Sequence, residues 1–302
     1  MAYLFLALVL LSGATKGYCG KKTSGYVKTV QDSFRQNLLR MTLCVAISAL
    51  LLLARGNISA LAVTPAALLP ALCGGVCTVG FVVFWQLTVR KNAYMMVDVF
   101  LTLGTIVTVL ACRLFFGDAI RPIQWLFMAM LVAASFIMSS YNSSLNGKMS
   151  PAALMLLLAC GLCNGLVDFS QKWFTHAFPT GDAAAFSFYT YVFAALTLGA
   201  ILLIGTLRAH NADGNAEKRA ALPEKVIGYI VVMAICLFAN SYFKTLAGAL
   251  MNPALLYPVC QGGALILSLI MCRIFFKEKI TAKCLTGIAL AGAAMICLNI
   301  FK

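Results

Sequence analysis

Ten apolar stretches, each long enough to cross a lipid bilayer, follow one another along this 302-residue chain, at about 2–20, 36–54, 65–89, 93–116, 123–141, 151–173, 183–207, 226–246, 253–274 and 284–301. A spanning helix needs roughly 20 apolar residues to cover about 30 Å of hydrocarbon. Lipid offers backbone amides no hydrogen-bond partner, so spans of this length must be helices; a barrel would show short alternating strands. The composition agrees, since 62 % of residues are apolar and 11 % charged, too few polar groups to clothe a water-soluble globule. The sequence therefore predicts an all-α integral membrane protein with ten transmembrane helices.

Punctuation supports these boundaries. Pro65, Pro122, Pro151, Pro223 and Pro253 fall at or near the predicted helix starts, where a missing N–H costs nothing. The polar run from Tyr141 to Pro151 lies between segments five and six and divides the chain into halves of five helices, 1–145 and 146–302. Arg208 to Lys225 reads as a loop. Gly20 to Gln36 reads equally as a short interfacial helix or a plain loop. Met1 to Leu11 has the apolar character of a signal-peptide core, but no basic residues precede it, so it is expected to begin a retained helix.

A net charge of +14 would suggest nucleic acid in a soluble chain. Here the cations gather between spans, so their expected partners are lipid headgroups, not nucleic acid. Seventeen of the 23 Lys and Arg fall on loops 1/2, 3/4, 5/6, 7/8 and 9/10 or the adjoining helix ends, which predicts both termini outside the cytoplasm. The twelve cysteines lie mostly inside apolar runs and read as small buried hydrophobes. Cys160 and Cys163 have C-x-x-C spacing but no second ligand pair, and His176 and His210 have no metal-ligand companion, so no metal or cofactor is expected.

Within the apolar segments the chain repeats itself about 160 residues apart. Cys112-Arg-Leu-Phe-Phe-Gly-Asp-Ala-Ile120 aligns with Cys272-Arg-Ile-Phe-Phe-Lys-Glu-Lys-Ile280, identical at five positions and conservative at two more. An odd number of spans separates the copies, so equivalent elements enter the bilayer from opposite sides. That is the pattern of an inverted-repeat transporter.

At these copies, Phe116-Gly-Asp-Ala-Ile-Arg-Pro-Ile-Gln-Trp125 and Phe276-Lys-Glu-Lys-Ile-Thr-Ala-Lys-Cys-Leu-Thr-Gly287, the chain resembles the drug/metabolite transporter (DMT) superfamily, in particular its EamA-like ten-helix members. Leu246 to Val259 looks like that family's small-residue start of helix 9, and Asn37-Leu-Leu-Arg40-Met like its Arg-bearing helix 2. The chain departs from the pattern at Lys277, where the first copy has Gly117, and at Asp118, where the family has Glu. The resemblance implies two inverted five-helix repeats around a central cavity and alternating access, with both termini in the cytoplasm, against the charge count. It leaves the solute open.

Charges inside a bilayer are costly enough to be functional candidates. Lys16, between Gly13 and Gly17, and Lys172, its counterpart in the second half, could meet an anionic group from two sides, or simply snorkel to the interface. Asp168 lies four residues before Lys172, the spacing of an intrahelical ion pair. Asp98 and Asp168 are the candidate proton-coupling residues. Asn240, Tyr242 and Lys244 on helix 8, Tyr257 and Gln261 on helix 9 and Gln86 on helix 3 complete the candidate substrate-binding set, with Trp85 as a stacking surface or an interface anchor. Pro258 is expected to break helix 9 midway, and Gly161, Gly165, Gly287, Ala291 and Gly292 to be packing surfaces.

The function expected is secondary active transport of a small polar metabolite, anionic ones included, across a bacterial plasma membrane by a multi-pass protein that is not an enzyme. No nucleotide-binding loop is present to couple ATP directly. The partners implied are the solute and the bilayer, with a homodimer open. The alternatives are a proton-coupled drug or cation exporter, disfavoured because helix 1 carries no acid, and a flippase for lipid-linked substrates.

Overall fold

The computed structural model describes residues 1–27, 29–90, 94–139, 151–213, 223–276 and 282–301. They form ten α-helices and no strand: α1 (Ala2–Ser24), α2 (Val30–Ala54), α3 (Pro65–Arg90), α4 (Tyr94–Phe116), α5 (Pro122–Ser139), α6 (Pro151–Ala177), α7 (Ala183–Asp213), α8 (Glu224–Leu250), α9 (Pro253–Phe276) and α10 (Ala282–Ile300), with a 3-10 turn at Ile58–Leu61. Six of them, α1, α2, α3, α6, α7 and α8, are long and apolar enough to cross a membrane; the apolar stretches described in α4, α5, α9 and α10 are 10 to 17 residues long. The molecule is a helical membrane-embedded protein. Its outward face agrees, with Leu50, Leu114, Phe115, Leu196, Leu203, Leu285 and Ile296 exposed as only a lipid-facing surface can tolerate.

The helix starts follow their prolines. Pro65, Pro122, Pro151 and Pro253 are the first residues of α3, α5, α6 and α9, and Pro223 is the N-cap of α8. Between α1 and α2 neither an interfacial helix nor a long loop exists, because the two helices extend into that stretch and leave only residues 25–29. A capping box fixes the start of α2: the Thr29 hydroxyl accepts from Asp32 N at 3.1 Å, and Thr29 N donates to the Asp32 carboxylate at 2.8 Å. Thr29→Ala is expected to lower stability by about 1 kcal/mol, read as a modest fall in the unfolding midpoint of the detergent-solubilised protein. Gly117 ends α4 with φ 69, a left-handed position that glycine takes without strain. It lies within the first repeat copy; residues 277–281 of the second copy lie outside the described residues.

Packing pairs helices distant in sequence. α1 lies on α8 and α3 on α6; α2 lies on α7 and α5 on α10; α4 packs on α6 and α9 on α1. Between α4 and α6 the approach is backbone to backbone. A Cβ on Gly104 would strike Gly161 O, one on Gly161 would strike Phe100 O, and one on Gly165 would strike Gly104 O. Gly161 and Gly165 are therefore the packing surface expected of them. Gly292 differs, since no atom lies within 4 Å of a Cβ added there.

α9 is not broken at Pro258. The proline is the sixth residue of a helix that runs unbroken from Pro253 to Phe276, near enough to its start for the neighbouring turns to carry it. Gln86 is not among the residues that line the central cavity described below. It is the centre of a buried clamp between α2 and α3: Ser33 Oγ and Asn37 Nδ2 each donate to Gln86 Oε1 at 2.7 Å, and Gln86 Nε2 donates to Gln36 Oε1 at 2.7 Å. Polar side chains within an apolar bundle hold helices together in this way.

At one end of the bundle, the segment between α2 and α3 is tied to the segment before α7. Asn57 Nδ2 donates to Asp182 Oδ2 at 2.8 Å, Arg55 lies 3.8 Å from the same carboxylate oxygen, and Asp182 Oδ1 caps α7 by accepting from Ala184 N.

Candidate functional site

The pairing of α1 with α8 and of α3 with α6 leaves a central cavity, closed on one side by α9. About 80 Å³ of it is open to the centres of water-sized molecules.

One wall is a polar row on α6. Asn164, Asp168 and Gln171 are spaced i, i+4, i+7 and so share a face. They are 7 %, 1 % and 3 % exposed, and Asn164 Nδ2, Asp168 Oδ2 and Gln171 Oε1 are each buried without a hydrogen-bond partner among the described residues. An unpaired buried polar atom costs free energy, so three along one cavity wall mark where a polar guest would be held. The other oxygen, Asp168 Oδ1, takes the ammonium of Lys244 from α8 at 2.9 Å. Gln171 Nε2 donates to Ser241 Oγ at 3.0 Å, a second tie between α6 and α8.

Across the cavity stands Lys16 of α1, half-buried, its ammonium 5.4 Å from the centre of the Phe81 ring in a cation–π contact. Asn240 lines the cavity and donates from Nδ2 to Val9 O at 2.8 Å, fixing α8 on α1. Gln261 and Cys260 line it from α9, Phe81 and Trp85 from α3. Trp85 is 7 % exposed, its indole packed where a Cβ on Gly20 would sit, so it is a cavity wall rather than an interface anchor.

Of the residues expected from sequence, the cavity gathers Lys16, Asp168, Asn240, Lys244 and Gln261. The others lie elsewhere, each for an identifiable reason. Lys172 donates to Gly248 O at 3.2 Å, serving a carbonyl that the end of α8 leaves unpaired, where a cation is also favoured by the helix dipole. The local Asp168–Lys172 pair thus gives way to the pair across helices. Tyr257 is fully buried and donates its hydroxyl to the backbone carbonyl of Asp168 at 2.9 Å, which props α6 at the ion pair without reaching the cavity. Tyr242 accepts from Arg55 at 3.1 Å and stacks on Phe238 outside the cavity. Asp98 sits on α4, its side chain outside the described residues.

Asn164 and Gln171 were missed, although polar residues at i, i+4 and i+7 in an apolar span are legible in the sequence. Arg40 was noted only as a motif residue. It is 5 % exposed, with its Nε unpartnered among the described residues. Among the described residues no three His, Cys, Asp or Glu side chains converge as metal ligands. What the arrangement offers is recognition, by donors, acceptors and charge in a low-dielectric cleft.

No family model matches the chain, and no curated protein matches it. Its fold is similar to that of a solved chain described only as "Crystal structure of protein", with a TM-score of 0.75 and 15 % identity over 99 % of this chain and 96 % of that one. At that identity the likeness is one of fold alone.

Proposed function

We propose that this chain is a secondary active transporter of a small polar metabolite, built like the EamA-like members of the drug/metabolite transporter superfamily from ten spans in two inverted halves, 1–145 and 146–302, and working in the plasma membrane by alternating access. The observation that carries the reading is the central cavity, which holds a buried Asp168–Lys244 ion pair and three polar atoms on α6, one of them Asp168 Oδ2, that have no hydrogen-bond partner among the described residues. Such groups are costly inside an apolar bundle and persist where a hydrated solute must be held on its way through.

The helix pairing supports the two halves. Exchange α1–α5 with α6–α10 in order, and α1 on α8 becomes α6 on α3, α4 on α6 becomes α9 on α1, while α2 on α7 and α5 on α10 map onto themselves. All of these contacts occur. A cation on α1 facing the cavity, where an acid would suit a cation exporter, favours the metabolite reading over drug antiport.

Flux into proteoliposomes tests it. Saturable, protein-dependent uptake of a water-soluble metabolite, reduced at least about tenfold by Asp168→Asn through loss of a charge-assisted contact, is the expected result. Movement of fluorescent lipid between leaflets with no flux of any soluble solute would transfer the protein to the flippases.

A further inference from the structure

The central cavity adjoins a narrow recess lined by Lys16, Arg40, Phe81, Val82, Trp85 and Leu237. Lys16, Phe81, Trp85 and Leu237 line both spaces, so the two are neighbours. Apart from its two cations the recess is apolar, and among the described residues no carboxylate lines it. Asp168, the acid of the adjoining cavity, already holds Lys244. Among the described residues that line the two spaces, Lys16, Arg40 and Lys244 stand against Asp168, an excess of two positive charges. Two like charges facing an apolar recess repel, and a buried guanidinium whose Nε has no partner among the described residues is costly, so an anion would complete the recess. Guanidinium suits this task because its fork of donors matches the oxygens of a carboxylate or phosphate.

Resting on the transport reading above, we propose that Lys16 and Arg40 form the charge-recognition subsite of the cavity. They take the acidic group of an organic anion and orient it, so that the rest of the solute lies against the α6 row. There Asp168 Oδ2 and Gln171 Oε1 present acceptors and Asn164 Nδ2 a donor. The solute class is therefore a small carboxylate or phosphate bearing hydroxyl or ammonium donors, with Phe81 and Trp85 covering its apolar edge. This differs from a symmetric pair of lysines from the two halves: the second cation comes from α2, within the same half as Lys16.

Thermal unfolding and equilibrium binding of the full chain in detergent decide the matter. The probes are glycerate, serine, gluconate and glucose phosphate, against glycerol, glucose and the neutral amides of the two sugar acids, with propionate as the acid that lacks a donor. At least one of the donor-bearing acids is expected to stabilise the protein, its neutral counterpart and propionate much less. Arg40→Met and Lys16→Met are each expected to weaken the binding roughly tenfold to a hundredfold, and Arg40→Lys to restore part of it. If Arg40→Met does not fold, Lys16→Met, at a half-exposed position, carries the test. Neutral probes that bind as well as the acids, or a folded Arg40→Met or Lys16→Met that binds like the parent, would overturn the subsite and leave the transport reading standing. Silence from every probe would sink the cavity as a solute site, and the subsite with it.

Discussion

Lys244→Met is expected to abolish transport and to lower stability by about 3–5 kcal/mol, the cost of leaving a buried charge without its partner. Asp168 is 1 % exposed and its Oδ2 has no hydrogen-bond partner among the described residues, so loss of the ammonium 2.9 Å from Oδ1 removes its direct ion-pair partner. The double variant Asp168→Leu with Lys244→Met separates the two effects. It removes both charges and replaces them with apolar volume, a change that is often neutral for a buried pair, so most of the lost stability should return. Transport should not return. The two readouts are the midpoint of denaturant unfolding in mild detergent and solute flux in proteoliposomes. A double variant that transports as well as the parent would reduce the pair to a strut between α6 and α8.

Which features could be read from sequence follows from how local their causes are. Helix starts are local: Pro65, Pro122, Pro151 and Pro253 each stand at N1, and the capping box at Thr29 is decided by a residue three positions on. The face of α6 is nearly as local, since Asn164, Asp168 and Gln171 obey one helical period. Partner choice is not local. Asp168 has one lysine four residues away and another 76 residues away, and spacing favours the first. The structure pairs it with the second because the end of α8 presents the carbonyl of Gly248 to Lys172 while α8 itself carries Lys244 to the cavity. The same reasoning covers Gln86, which in sequence is an amide in an apolar span and so a candidate substrate contact. Only the approach of α2 brings Ser33, Gln36 and Asn37 to it and turns a candidate contact into a clamp. Pro258 shows the reverse error, where a local signal was given too much weight.

The second large effect is expected at the α4–α6 contact, where Gly161→Val should cost at least about 3 kcal/mol, at or beyond the upper end of what overpacking usually costs. A Cβ at Gly161 would meet the carbonyl of Phe100, and the neighbouring glycines, Gly104 and Gly165, are just as closely opposed to backbone carbonyls. These are main-chain atoms on a facing helix. No side chain can rotate to relieve the contact, and the only escape is to drive α4 and α6 apart. Thr108, whose hydroxyl donates to Gly165 O at 2.9 Å, would lose that bond as they separate. The damage should reach the cavity as well, because α6 carries Asn164, Asp168 and Gln171 on the same rigid helix, and a small shift there moves every acceptor offered to the solute. Gly292→Ala and Gly199→Ala are the matched controls. Neither added Cβ has an atom within 4 Å, so both should be neutral or stabilising, by up to about 1 kcal/mol from the helix preference of Ala over Gly. Fluorescence-detected gel filtration and unfolding midpoints compare the three directly. A Gly161→Val protein as monodisperse and as stable as Gly292→Ala would mean that α4 and α6 do not meet backbone to backbone.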